Sequence, residues 1–146
     1  MIFGVGTDVC DIRRIRAAWS RRGQRFAERI LGPHEIQVFN LRLQKVEARG
    51  ISFLATRFSA KEAFSKAIGM GMHSPMSWRN CEILNLPGGK PVLRLSGVLA
   101  EWFESRRLVG HVSVSDESDV ATSFVVVESS TTNQLKVNDG PAYASR

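Results

Sequence analysis

The stretch FSAKEAFSKAIGMG, Phe58 to Gly71, combines an apolar helical pattern with acidic and basic residues, and it decides how the rest of the chain is interpreted. The pattern predicts a helix from Ile51 to Ile68 that stops at the glycines. Because a helix turns 100° per residue, the apolar residues fall on one stripe and on a second side of the helix. A helix that is apolar on two sides is expected to be buried. Glu62 falls in the middle of the stripe, which otherwise contains Ile51, Leu54, Ala55, Phe58 and Ser65.

An ionised carboxylate such as that of Glu62 is costly to bury unless a partner compensates its charge. Three compensations are compatible with the sequence. Lys66, one turn later, could form an ion pair with Glu62, worth only about 0.2–0.5 kcal/mol at a surface. Ser59 and Glu62 could form a capping box if the helix began at Ser59. The third compensation is a metal ion or an active-site cleft that opens at this point.

The N-terminal segment MIFGVGTDV, Met1 to Val9, predicts a strand whose two faces differ in bulk. One face carries Phe3, Val5, Thr7 and Val9, and we expect it to be the core face. The other face carries Gly4, Gly6 and Asp8, which indicates close approach by a ligand or by another backbone. Alternatively, the glycines accommodate a packed helix and Asp8 caps the turn that follows. The remainder of a dinucleotide-binding fingerprint is missing.

Asp8 and Glu62 together suggest a more specific chemistry than either residue alone. Mg²⁺ prefers one or two protein carboxylates and completes its shell with water and substrate phosphates. A carboxylate at a strand end and another on a buried helix could supply such a half-built shell. Lys66 and the glycine-rich helix end at Gly69 and Gly71 would then lie where phosphate oxygens need neutralisation.

The remaining pattern predicts one α+β domain over residues 1–128, with a small, mainly antiparallel sheet packed with the long central helix. Polar, aperiodic residues 129–146 are expected to form a mobile tail. In chain order we first expect a strand at Ile2–Val9, a helix capped by Asp11 and interrupted at Gly23, and a short helix to Leu31. A helix at His34–Glu47 and the central helix follow. The rest is expected to form strands at Asn80–Leu86 and Pro91–Leu95, a helix opening at Gly97, and strands at His111–Ser115 and Val120–Val127.

Composition narrows the class of protein. The chain has 146 residues, 43 % of them hydrophobic, which predicts a folded domain. It has no run of 18 apolar residues, so we expect no membrane span. Two cysteines, Cys10 and Cys81, are too few for a disulfide framework and are expected to be buried free thiols in a reducing cytoplasm. The formal charge of +6 indicates an acidic partner, which charge alone does not identify.

The chain resembles the holo-[acyl-carrier-protein] synthases, the small trimeric class of 4′-phosphopantetheinyl transferases. The resemblance covers about Met1 to Glu128 and implies the fold of that family. It rests on four blocks in the same order, which are GVGTDVCDIRRI at Gly4–Ile15, RFSAKEAFSKAIGMG at Arg57–Gly71, GKPVLRLSG at Gly89–Gly97 and HVSVSDE at His111–Glu117.

This resemblance implies transfer of the phosphopantetheine arm of coenzyme A to a serine of apo acyl carrier protein, with release of adenosine 3′,5′-bisphosphate. The reaction would need Mg²⁺, serve fatty acid biosynthesis in the cytoplasm, and occur between the subunits of a homotrimer. Asp8 and Glu62 match the family's metal ligands, and with Lys66 they are the expected catalytic residues.

Coenzyme A contacts are expected from Lys66, Gly69, Gly71, His111 and Arg57. The serine hydroxyl would attack the β-phosphate while Lys66 stabilises the leaving phosphate, and Glu62 is one candidate for the general base. His111, at a strand start, could instead bind only backbone. Met70 stands where the family has a threonine, so this loop departs from the pattern.

The segment from Arg13 to Arg29 contains seven arginines and one acid, Glu28. A run of one sign repels itself and favours an anionic partner. In the resembling family the first helix docks the acidic carrier protein, and Arg14 and Arg21 are the best individual candidates for this contact.

Two other classes of protein are alternatives to an enzyme. A nucleic-acid-binding protein would explain the basic patch, but no zinc-ligand spacing or RNA-recognition signature occurs, and Asp8 and Glu62 would have no role. A non-catalytic structural subunit is the third class, and Glu62→Gln would separate it from the enzyme, since a scaffold would retain its function. We therefore expect neither nucleic acid nor membrane among the partners.

Overall fold

The computed structural model of the protein describes residues 1–130 and 142–144. Its elements are β1 (Ile2–Asp11), α1 (Ile12–Arg22), α2 (Gln24–Ile30), α3 (Pro33–Lys45), α4 (Glu47–Ile68), β2 (Cys81–Asn85), β3 (Pro91–Leu95), α5 (Gly97–Ser105), β4 (Leu108–Asp116) and β5 (Val120–Ser129). The order of elements is the predicted one, and the larger differences are that α3 and α4 meet at a single residue, Val46, and that β4 begins earlier.

Two antiparallel sheets accompany the helices. The larger sheet has the strand order β1-β5-β4, and β2 and β3 form a separate hairpin. In the register, Asp8 is opposite Ser123 and Gly6 is opposite Val125. The prediction of a single α+β domain with a small antiparallel sheet and a long central helix is confirmed.

Helix α4 is the centre of the molecule, with fifteen of its 22 residues buried. It separates two apolar clusters. One contains Phe64, Leu99 and Val125, and the other contains Ile12, Phe39 and Leu54. Burial on both sides confirms the prediction made from its two apolar sides.

The faces of β1 are oriented opposite to the prediction. A Cβ placed on Gly4 or Gly6 would lie 1.9 Å from the carbonyl oxygen of Ala67 or Ala63, respectively, so the glycine face packs on α4. The expected core face is exposed instead, since the solvent-exposed fractions of Phe3, Val5 and Val9 are 47 %, 53 % and 73 %. The reason is that only a face without side-chain bulk lets a helix backbone approach so closely.

The helix ends decide between two of the open alternatives. Because α4 begins at Glu47, Ser59 is interior, and its hydroxyl lies 2.7 Å from the Ser123 hydroxyl, so no capping box forms with Glu62. Asp11 caps α1 by accepting the backbone N–H of Arg13 at 2.9 Å, as predicted. Asp8 therefore lies inside β1 and has no capping role.

Beyond β5 the described chain is brief. Ser130 donates its backbone N–H to Arg107, and Ala144 donates to the carbonyl of Asn85 at 2.7 Å. The predicted mobile tail falls mainly on 131–141 and 145–146, outside the described residues. Within 1–130 and 142–144, no helix is long and apolar enough to cross a membrane. Cys10 and Cys81 are buried and free, as predicted.

Candidate active site

Asp8 and Glu62 line the same cleft, about 540 Å³ in volume, between β1, α1, α2 and α4. Asp8 reaches it from the inner face of β1, next to the glycines that bring α4 close. Glu62 reaches it from α4, one turn after Phe58. The fold therefore brings together two carboxylates that are 54 positions apart in the chain, as the sequence predicted.

The two acids are electrostatically coupled. Glu62 is half-buried, and its pKa is raised first by desolvation and then by the negative charge of Asp8, while the Lys66 ammonium opposes the shift. Lys66 donates to Asp8 at 3.2 Å and to the carbonyl of Thr7 at 2.8 Å. The ion pair considered between Lys66 and Glu62 is thus replaced by one between Lys66 and Asp8.

This donor set fits a magnesium ion. Two carboxylates in one cleft repel each other, as the raised pKa of Glu62 reflects, and a divalent cation would relieve that repulsion. In the described part of the chain, no three or more His, Cys, Asp or Glu side chains group to hold a metal. Two carboxylates with room beside them are the arrangement in which Mg²⁺ keeps sites for water and phosphate oxygens.

Two of the arginines predicted to dock a carrier protein lie on the rim of this cleft. Arg14, Ala17, Ala18 and Arg21 recur at helical spacing on α1 and all four line the cleft. Arg21 also lines a neighbouring groove of about 630 Å³, together with Arg22, Arg25, Phe26 and Arg29. The cleft therefore has a basic rim and an acidic floor.

An apolar wall completes the cleft, and sequence reasoning did not anticipate it. Phe26 of α2 and Phe58 of α4 both line it. The ring of Trp78 stacks behind Phe58, with centroids 4.9 Å apart and planes at 21°. Phe58 could have been found from its place one turn before Glu62, whereas nothing in the local pattern indicates Phe26.

The other predicted coenzyme A contacts do not line this cleft within one chain. Gly69 ends α4 at φ 77°, in the left-handed region that glycine favours, and Gly71 follows at φ 60°. His111 lies on the outer face of the sheet, 3.0 Å from the Glu128 carboxylate. Arg57 is buried and donates to the Ile83 carbonyl and the Asn85 side chain.

A second, basic cleft of about 620 Å³ lies at the junction of α3 and α4. Arg42, Lys45 and Arg49 line it, with Asp116 as the acidic residue. Arg57 lies in a smaller cleft of about 200 Å³, which also includes Arg42. Helical spacing could not have found this cleft, because Val46, at φ −148° and ψ 118°, separates α3 with Arg42 and Lys45 from α4 with Arg49.

Comparison with known proteins gives consistent results. The sequence model of the 4′-phosphopantetheinyl transferase superfamily matches residues 4–125. The chain is 71 % identical over 128 residues to the holo-[acyl-carrier-protein] synthase of Leptothrix cholodnii, covering 88 % of this chain and 97 % of that relative.

Solved structures agree with the sequence relatives. The holo-[acyl-carrier-protein] synthase from Neisseria meningitidis gives a TM-score of 0.80 at 40 % identity, over 88 % of this chain and 99 % of that one. The corresponding synthase from Bacillus anthracis, in complex with CoA (3′,5′-ADP), gives 0.73 at 35 % identity, over 89 % and 99 %.

Proposed function

This chain belongs to the 4′-phosphopantetheinyl transferase superfamily, and we propose that it transfers the 4′-phosphopantetheine group of coenzyme A to a serine of apo acyl carrier protein, releasing adenosine 3′,5′-bisphosphate. The observation that carries this proposal is the shared cleft, which places Asp8 and Glu62 under a rim formed by Arg14 and Arg21. An acidic floor for a metal and phosphates thus lies directly beside a basic surface for an acidic protein.

Asp8 and Glu62 would hold Mg²⁺, which when bound supplies positive charge to the pyrophosphate of coenzyme A. Lys66 is well placed to assist, since its side chain is 52 % exposed while it contacts Asp8. Its ammonium is therefore accessible from solvent while it stays next to a cleft residue. We propose that it stabilises the leaving phosphate, as positively charged groups do in phosphoryl transfer.

In the proposed reaction the serine oxygen forms a bond to the β-phosphorus of coenzyme A. The bond from that phosphorus to the oxygen bridging it to the α-phosphate breaks, and adenosine 3′,5′-bisphosphate leaves with this oxygen. The serine hydroxyl proton must be accepted by a base. Glu62 is the proposed candidate because its carboxylate lines the cleft beside Asp8, where the reacting phosphate would lie.

The remaining predicted contacts fit a site completed by a second subunit. His111 lies on the outer face of the sheet, where Phe3, Val5 and Phe124 are also exposed. Apolar patches of this kind mark protein–protein contacts. We propose a homotrimer in which this face is covered, and in which His111 and the basic cleft of Arg42, Lys45 and Arg49, next to the buried Arg57, bind coenzyme A phosphates.

The acceptor side is proposed to be an acidic acyl carrier protein docked on α1. Arg14 and Arg21 lie beside the reacting groups, so a bound carrier would present its serine to the cleft. The net charge of +6 favours such a partner and predicts association that weakens with salt. Following the family resemblance, we place the reaction in fatty acid biosynthesis in the cytoplasm.

A loading assay tests the proposal directly. The full chain is mixed with apo carrier protein, coenzyme A and Mg²⁺, and the carrier is weighed by mass spectrometry. A mass gain of one phosphopantetheine is expected, and it should disappear with EDTA and return with added Mg²⁺. A carrier that stays unmodified while a known transferase modifies the same preparation would refute the proposed activity.

A further inference from the structure

Lys61, which directly precedes Glu62 on α4, is completely buried. Its ammonium donates to the Glu35 carboxylate at 2.5 Å, to the Ile30 carbonyl at 2.6 Å and to the Trp78 carbonyl at 2.8 Å. An ammonium has three N–H donors, so each of them has an acceptor. None of the roles assigned above uses this lysine.

Glu35 is equally buried, and its carboxylate is saturated as well. It accepts the backbone N–H of Gly32 at 3.0 Å, at the start of α3, and that of Ile83 at 2.9 Å, on β2. Burial raises the pKa of Glu35, and the positive charge of Lys61 opposes that shift. Buried ion pairs contribute little net stability compared with apolar packing, so this pair calls for a further explanation.

The acceptors of Lys61 belong to the segments that build the apolar wall of the cleft. Ile30 is the last residue of α2, the helix that carries Phe26. Trp78 belongs to the loop between α4 and β2, and its ring backs Phe58. Lys61 therefore ties α2 and the Trp78 loop to α4.

We propose that Lys61, held by Glu35, is a positioning residue that fixes the apolar wall of Phe26 and Phe58 so that the cleft accepts the carrier protein. The inference rests on the proposed function, since the wall borders the surface assigned to the carrier. Lys61 touches neither the metal ligands nor the proposed phosphate sites. It therefore acts on carrier binding and leaves coenzyme A binding largely unchanged.

The double variant Lys61→Met/Glu35→Gln tests this, because removing both charges avoids an uncompensated charge in the core. The expected result is a rise of about tenfold in KM for the carrier, with KM for coenzyme A within about twofold of the wild type, as misplacement of a binding wall affects the group that it contacts. Hydrogen exchange should accelerate in α2 and near Trp78, and not in α5.

The matched control is Leu99→Ala, which opens a cavity in α5, on the far side of α4. It should lower the melting temperature and leave KM for the carrier unchanged when both variants are assayed well below their melting temperatures. This comparison separates a positioning role from a general loss of stability.

Two outcomes overturn the inference. One is a folded double variant with wild-type KM for the carrier, and the other is a double variant in which both KM values rise equally. If the double variant does not fold, Glu35→Asp decides, because it shortens the side chain that holds Lys61 and keeps both charges in the core. It must then raise KM for the carrier alone, and an unchanged value refutes the inference. A wild-type chain that neither loads nor binds carrier protein refutes the proposed function itself.

Discussion

Two consecutive residues of α4, Lys61 and Glu62, belong to charged groups of opposite character. Lys61 and Glu35 form a closed pair in which every donor of the ammonium has an acceptor. Glu62 and Asp8 form an open pair in which two like charges share a cleft, and one half-exposed lysine, Lys66, contacts Asp8. The difference teaches that burial alone does not identify a functional acid. The useful sign is a carboxylate whose charge the protein leaves incompletely compensated.

The largest effect is expected from a substitution that breaks the closed pair. Lys61→Met leaves the Glu35 carboxylate buried without its cation, and this should lower the free energy of unfolding by about 3–5 kcal/mol. Urea denaturation followed by circular dichroism measures the loss. Removing both charges should recover much of it, and equal losses in the single and double variants would contradict the closed-pair interpretation.

The next largest effect is expected from a substitution that breaks the open pair. Glu62→Gln removes a proposed metal ligand and should lower the transfer rate by about 100-fold or more, an effect of the size seen when a group that stabilises developing charge is removed. Transfer is measured by carrier mass at saturating coenzyme A, and Mg²⁺ binding by calorimetry. Asp8→Asn should behave in the same way. Retention of full activity in either variant would exclude the carboxylate pair as the metal site.

A smaller effect is expected at the basic rim. Arg14→Ala and Arg21→Ala should each raise KM for the carrier by about tenfold, an effect of about 1.4 kcal/mol that marks a contact carrying part of the binding energy. Arg13→Ala is the matched control on the same helix, because Arg13 is already paired with Asp11 and does not line the cleft. Comparable losses in all three variants would indicate a diffuse field instead of a defined docking site.

The smallest effect concerns pH and stability in the open pair. Because the pKa of folded Glu62 lies above 4.5, the folded state holds its proton to higher pH than the unfolded state does, and stability is lost as pH rises through the folded pKa. Without Mg²⁺, Glu62→Gln should therefore raise the melting temperature slightly at pH 7. Glu35→Gln should lower it. If the melting temperature fell in Glu62→Gln as well as in Glu35→Gln, the ionised Glu62 would not be destabilising.

The same shift predicts the pH dependence of metal binding. Mg²⁺ binds the ionised carboxylate, so protons compete with it, and affinity should weaken as pH falls toward the raised pKa of Glu62. The decline should begin at higher pH than for an ordinary glutamate, because desolvation and the charge of Asp8 both raise the pKa of Glu62, and Glu28→Gln, outside the cleft, should leave the profile unchanged. Calorimetric titration of Mg²⁺ at several pH values checks both statements.

Much of the site was predictable because its signals are local. The apolar period of α4 identified Glu62 as an acid out of place, and the alternation of β1 put Asp8 on the face stripped of bulk. The family resemblance pointed to Arg14 and Arg21 on the first helix. The structure brings these four residues into one cleft, while their roles in metal and carrier binding stay predictions.

Other parts could not be predicted because they depend on contacts between distant segments. The basic cleft of Arg42, Lys45 and Arg49 needed the correct end of α3 and start of α4. Phe26 reaches the cleft only because α2 folds back beside α4. Lys61 gave no signal, since a lysine beside a glutamate on a helix is ordinarily a surface residue, and its three acceptors come from three other segments.

The sequence by itself determined the order of the elements, the cap at Asp11, the buried central helix and the two acids that stand out within their own elements, because periodicity and capping act over a few residues. That the two acids share a cleft depends on the packing of β1 against α4. Only the tertiary structure decided which face of β1 is covered, that Lys66 contacts Asp8, and that Lys61 is sealed in the core. These outcomes depend on how closely backbones approach and on which distant carbonyls satisfy a buried charge, and no local pattern encodes those distances.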